Sequence, residues 1–262
     1  MKKLLIVIIT VLLLASCQKN REEPAAVVDI SQPEIIMPEV QVTPVPDESR
    51  TKEAAGTPKP EYGTNAGITV IRTVSFIYGE NEDLMLYGAA EYTNSGDCPV
   101  TVTSAVFTFS LGGAEVTNEF VPVLSEYDVV LPGQNSYVTL WLPYEGETAA
   151  NEVTLSVSLK CERTDKTRIE LVLDDLYLAD NYPGFTTLSG TVRNISDTEC
   201  SLNLAYAGFY DETGSLIGVW YFTKNATLSG GDEKNFVVHM TGLPSGLSLK
   251  TAEIRSAAFG FN

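Results

Sequence analysis

The sequence predicts an all-β protein: two β-sandwich domains in tandem behind a disordered N-terminal tether. Three observations predict it. After Gly67, short runs of valine, threonine, tyrosine, phenylalanine and leucine alternate with glycine, proline, asparagine and aspartate, at roughly 8–15 residue spacing. No long stretch has the 3.6-residue periodicity of an amphipathic helix. Between Gln18 and Ala66, by contrast, the chain carries seven of its 13 prolines and no sustained periodicity, a composition that cannot bury enough apolar surface to repay ordering.

The elements begin with Met1, Lys2 and Lys3, a short basic start, followed by an apolar run from Leu4 to Leu14 interrupted only by Thr10. Such a run is too short to span a bilayer, which takes about 20 residues, and fits the apolar part of a secretory signal. Leu14, Ala15 and Ser16 precede Cys17. This "LASC" resembles the lipobox of bacterial lipoproteins. The resemblance implies cleavage before Cys17, a diacylglycerol on its sulfur, and an extracytoplasmic chain held on a bacterial membrane. Two acyl chains supply the anchoring that one cannot. Gln18 follows the cysteine, rather than the aspartate that resembles an inner-membrane retention signal. The cell surface, or an outer membrane where the host has one, is therefore open to it. Residues 1–16 are read as the signal peptide and 17–66 as anchor and linker. Extended at ~3.1 Å per residue, such a linker reaches on the order of 100 Å or more.

Domain 1 is read as residues 67–163. "ITVIRTVSFIYG", "DLMLYGAAEYTN", "VTVTSAVFTFS", "NSYVTLWLP" and "NEVTLSVSLK" all have strand texture. Domain 2, residues 164–262, repeats the plan, and the polar "CERTDKTR" between them is the join. "EYTNSGD" (Glu91 to Asp97) overlays "TVRNISD" (Thr191 to Asp197). "FSLGGAEV" overlays "YDETGSLI", and "LPGQ" (Leu131 to Gln134) overlays "LSGG" (Leu228 to Gly231). Asparagine and aspartate bond their own backbone at turns, and glycine supplies positive φ. The repeat is one of scaffold, with an immunoglobulin-like strand count.

"LSGTVRNISD…AGFYDETGSLIG…LSGGDEKNFVVHM" resembles the FxLYD-type extracellular β-sandwich domains of bacterial surface lipoproteins. The likeness covers about Gly184 to Met240 and rests on Gly190, Val192, Asn194, Phe209, Tyr210, Asp211, Gly214 and Gly230. The first half departs from it: Ala90 stands where Gly190 stands, and Ser110 replaces Asp211. The resemblance implies a fold and a surface setting, and transfers no catalytic residue.

Composition narrows the function. Lysine plus arginine is 17 against 34 aspartate plus glutamate, and the net charge of −17 argues against nucleic acid and anionic lipid heads. His239 is the sole histidine, which makes acid–base chemistry scarce. It shares a strand face with Val237 and Thr241, on the solvent side or at an edge. No catalytic signature motif appears. The reading is therefore non-enzymatic, with no cofactor, metal ligand or catalytic residue assigned. Its partners are the membrane, through Cys17, and a protein or an envelope glycan. Two other readings stay open. One is a carbohydrate- or solute-binding lipoprotein using exposed aromatics among Trp141, Trp220, Tyr177, Tyr182, Tyr206, Tyr210 and Tyr221. The other is a β-sandwich hydrolase converging Glu115, Glu119 and Asp211. Glu80, Glu82 and Asp83 form an oxygen-rich turn of the kind that holds calcium, but without the spacing of a known loop.

Cys98, Cys161 and Cys200 are left beside the anchor. Seven strands between Ile68 and Lys160 would put Cys161 at the pole opposite the tether, where domain 2 begins. The loop after the second strand of domain 2 returns Cys200 to that join. The expectation is a Cys161–Cys200 disulfide that stiffens the pair into a rod, with Cys98 the odd thiol in an exposed polar turn. Three free thiols are the alternative.

Overall fold

A computed structural model describes residues 61–79, 84–122, 128–146, 153–182, 185–223, 227–243 and 246–261. Cys17, the apolar start, most of the tether and residues 80–83 of the acidic turn lie outside the described residues. The first half forms β1 (Ile68–Tyr78), β2 (Met85–Asn94), β3 (Val100–Leu111), β4 (Ala114–Pro122), β5 (Val129–Val130), β6 (Asn135–Pro143) and β7 (Val153–Arg163). The second forms β8 (Ile169–Tyr182), β9 (Phe185–Asn194), β10 (Leu202–Tyr210), β11 (Leu216–Thr223), β12 (Glu233–Met240), one helical turn α1 (Leu247–Lys250) and β13 (Glu253–Phe261). The chain is all-β, and its ladders are antiparallel.

Alternation explains the outer strands. In β7, Val153, Leu155, Val157, Leu159 and Cys161 pack inward, while Thr154, Ser156, Ser158 and Lys160 are exposed. The sheet β1-β2-β6 faces β3 with its neighbours β4, β5 and β7. Leu86, Ala90, Tyr92, Val100, Val102, Phe107 and Phe109 fill the space between. The backbone edge of β7 is capped by β1 side chains: Thr73 Oγ1 donates to Leu155 O at 3.4 Å and Ser75 Oγ to Val153 O at 2.9 Å. Such capping blunts an edge that would otherwise template another strand.

The second half reuses this order: β8-β9-β12 corresponds to β1-β2-β6, and β11-β10-β13 to β4-β3-β7. Here the two sheets are joined by a three-residue ladder, from Ala258↔Leu171 to Gly260↔Ile169. Asn94 and Asn194 are equivalent hubs. Asn94 Nδ2 donates to Cys98 O and Val130 O, both at 2.8 Å, and Asn194 Nδ2 to Thr198 O at 2.7 Å and Leu228 O at 3.0 Å. Their Oδ1 atoms accept from Gly96 N at 2.9 Å and Ser196 N at 3.0 Å. Gly133 N and Gly231 N return to the two asparagine carbonyls, so the match to "LPGQ" is "SGGD", one residue later than the sequence overlay placed it. A similar shift applies at the hairpins. The bulges after Phe109 and Phe209 align these two residues and make Ser110 the equivalent of Tyr210, not of Asp211.

The resemblance residues have local physical reasons. Gly214 has φ +77°, in a turn tied by Asp211 Oδ1, which accepts from Thr213 N and Ser215 N at 2.9 Å. A side chain at Gly230 would start 2.8 Å from the Asp197 backbone.

The largest departure from the sequence reading concerns how the halves meet. They are not joined pole to pole as a rod. The second face of β1-β2-β6 lies on the second face of β11-β10-β13, and Tyr87, Ala89 and Tyr137 share one apolar cluster with Tyr206, Tyr210 and Val219. Residues 61 onward fall within one compact unit, and the chain changes sheet across residues 164–168. The pole argument fails because β5 is two residues long and pairs only with Val100 and Thr101, at the start of β3. It crosses nothing, so six full crossings bring β7 back to the starting pole, where Thr164 N donates to Pro99 O.

The strand count that led to the Cys161–Cys200 expectation falls with it. Cys98, Cys161 and Cys200 are all free thiols in this structure. Cys200 bridges Leu228 in the second sandwich, whereas Cys161 lies opposite Val102 in the first. Cys98 is buried in the first core rather than exposed in a turn.

Candidate functional site

The seam gathers the charged and aromatic groups. Glu91 on β2 is fully buried and is held by Arg72 Nη1 at 2.7 Å and Asn135 Nδ2 at 2.9 Å. Arg72 also donates from Nε to Gly214 O at 3.1 Å, across the seam. Tyr210 on β10 lies between two guanidiniums, with Arg255 centred 4.3 Å and Arg72 5.7 Å from its ring. Its hydroxyl is 2.9 Å from that of Tyr137 on β6. Arg255 is itself forked onto Glu253, at 2.9 and 2.7 Å. Burial pushes the Tyr137 hydroxyl up to about 12 and Tyr210 higher still, so both stay protonated at neutral pH.

A second polar knot sits at the β5–β6 end. Asp128, fully buried, accepts from Tyr92 Oη at 3.2 Å and Ser136 Oγ at 3.4 Å, and Tyr206 of the second sandwich is its third hydrogen-bonding neighbour. Arg168, in the stretch between sandwiches, donates from Nη1 to Val129 O at 2.7 Å and from Nη2 to Gln134 Oε1. Its guanidinium lies 4.7 Å from the centre of the Phe259 ring. Its Nε is buried without a hydrogen-bond partner. Burial lowers its pKa, and Glu170 and Asp128 oppose that shift.

Burial raises the Asp128 carboxyl to about 6, against the hydrogen bonds of Tyr92 and Ser136 and the charge of Arg168. The folded state then binds the proton more tightly than the unfolded chain. Stability is greatest below the ordinary aspartate pKa and falls as pH rises from about 4 through about 6, by up to roughly 3 kcal/mol. Melting temperatures between pH 4 and 7.5 check this. The fall is expected in the wild type and is expected to flatten in Asp128→Asn; an equal slope in both excludes Asp128 as its source.

Between the knots opens a cleft of about 360 Å³ whose lining includes Glu91, Asn135, Tyr137, Arg168, Glu170 and Arg255. Both sandwiches contribute. A separate cavity of about 460 Å³ in the first sandwich is lined by Glu119 but by neither Glu115 nor Asp211. The structure does not unite those three carboxylates. Glu115 and Glu119 sit on β4, and Asp211 is spent within its own turn on the second sandwich. His239 and Val237 are exposed while Phe236 and Met240 are buried, as strand alternation predicts.

The aromatics have mostly gone into the seam rather than onto a surface. Trp141 meets Tyr87, Trp220 and Tyr221 at 5.2–5.9 Å between ring centres and donates to Gly242 O at 3.0 Å. Tyr177, 66% exposed, and Tyr221, 47% exposed, are exceptions among the described side chains. Among the described residues, no group of three or more histidine, cysteine, aspartate or glutamate side chains could hold a metal, and no helix is long and apolar enough to cross a membrane. Sequence reasoning missed Glu91, Arg72, Arg168 and Arg255. They lie on β1, β2 and β13 and in the polar linker, far apart in the chain, and only the seam brings them together.

No protein-family model matches this chain, and no curated protein does. Among solved structures, a β-glucuronidase from glycoside hydrolase family 2 is similar at 8% identity and a TM-score of 0.19, over 59% of this chain. The alignment spans only 20% of that enzyme's chain, and at that score the likeness carries no argument.

Proposed function

We propose that this chain is a lipid-anchored extracytoplasmic protein. Its two β-sandwiches, FxLYD-like in the second and rigidly joined, are held out on a linker for a protein or envelope-glycan partner, without catalysis. The observation that carries the reading is the seam. Two sandwiches that share an apolar cluster and the hydrogen bonds from Tyr87 to Val219 and from Arg72 to Gly214 behave as one presenting block rather than as a hinged pair. Other features support it. The "LASC" at Leu14–Cys17 and the proline-rich linker supply anchor and reach. The seam tyrosines stay protonated, and Glu91 is held in an ion pair, so neither is set for acid–base work.

Intact-mass analysis of membrane fractions tests the anchor. The wild type is expected to begin at Cys17 and carry a diacylglycerol, and Cys17→Ser to remain an unlipidated precursor. A mature wild-type chain without lipid would overturn the anchoring half of the proposal.

A further inference from the structure

We propose that the cleft between the sandwiches is a binding site for a short, extended peptide with free charged termini. This goes beyond the anchored-presenter reading and does not depend on the lipid. Failure of the site would leave that reading intact, and failure of lipidation would leave the site intact.

The cleft wall holds unspent hydrogen-bonding capacity. Charges on the cleft wall are balanced, with Arg168 and Arg255 against Glu91 and Glu170. A ligand of no net charge is therefore favoured over an anion or a cation. Within that balance the available groups are polar and ionic. Glu170 is exposed, and among the described residues its carboxylate faces the charge of Arg168 without a salt bridge or a side-chain hydrogen bond. Arg255 is forked onto Glu253 through Nε and Nη2, leaving Nη1 free to donate. Asn135 donates to Glu91 and keeps its amide oxygen. The aromatic rings nearby are covered: Phe259 lies under Arg168 and Tyr210 under Arg255. With no open ring face, the stacking that grips a sugar has no platform. A carboxylate opposite a guanidinium is instead the complement of an ammonium and a carboxylate on one ligand.

Span sets the length. Glu170 pairs with Phe259 in the β8–β13 ladder, and Arg255 lies four residues away along β13, about 13 Å at the backbone. Both residues line the cleft. At ~3.4 Å per extended residue, two to four residues bridge it, and a single amino acid does not. The ligand's course runs beside β6, the edge of the β1-β2-β6 sheet. The outer backbone groups of that strand can pair with an extended chain.

Calorimetric titration of the full chain in detergent with trialanine tests the proposal. Saturable binding is expected with trialanine, at least tenfold weaker with free alanine, and at least tenfold weaker with N-acetyl-trialanine amide, which lacks both charges. Glu170→Gln, an exposed change that leaves folding intact, is expected to weaken trialanine at least tenfold with an unchanged melting temperature. Arg255→Gln is expected to weaken trialanine at least tenfold as well. Absence of heat with trialanine up to its solubility overturns the site. Equal binding of the capped peptide overturns the zwitterionic class, and undiminished binding by Glu170→Gln overturns the assignment to this cleft.

Discussion

Gly208→Val is expected to force the two sandwiches apart and cost about 3 kcal/mol of stability, near the upper end for overpacking. Gly208 lies on β10 at the centre of the seam. A Cβ added there would sit 2.6 Å from the Tyr137 ring, with the Tyr137 hydroxyl at 2.8 Å. Tyr137 cannot swing clear, because it is buried and its hydroxyl is tied to that of Tyr210 at 2.9 Å. The glycine is needed for close approach, not for a special backbone conformation. The urea midpoint should fall, and residues 164–168 should become open to proteolysis as the halves separate. A variant with wild-type stability and no new cut would show that the faces do not touch as described.

Tyr87→Phe is expected to cost about 2–4 kcal/mol, although it removes one oxygen atom. The Tyr87 hydroxyl donates to Val219 O and accepts from Val219 N, both at 2.8 Å, in a fully buried position. It thereby satisfies both backbone groups of one residue on the opposing sandwich. Without it, a buried N–H and a buried C=O lose their partner, at ~1–3 kcal/mol each. Tyr177→Phe serves as the comparison. Tyr177 is 66% exposed, and its change should stay within about 0.5 kcal/mol. Equal effects from the two substitutions would exclude the cross-seam bond as a source of stability.

Much of the scaffold was legible in the sequence, for reasons particular residues make plain. Strand β7 alternates because one face meets the core and the other meets water. Asn94 and Asn194 could be matched from text alone because each hub needs the same side chain two residues before a turn amide. The seam was not read, although it left a trace. In β2, "MLYGAAEYTN" is buried at nearly every position, and β10, "LNLAYAGFY", has the same unbroken apolar texture. Strands covered on both faces lose alternation, and the contrast with β7 was the signal that a second layer covers them.

The charged groups of the cleft were harder. Arg72, Glu91, Arg168 and Arg255 are distant in the chain and acquire meaning only when two sheets meet face to face. The misplaced cysteines trace to β5. A two-residue strand leaves no periodicity to read, yet whether it crosses the sandwich decides the pole at which every later element ends.

The central claim is that both sandwiches form one cooperative body through the shared seam. Differential scanning calorimetry of the full chain tests it most directly. The account predicts a single transition whose calorimetric and van't Hoff enthalpies agree, and which Gly208→Val splits or broadens. Two independent transitions in the wild type, each unaffected by seam substitutions, would contradict it.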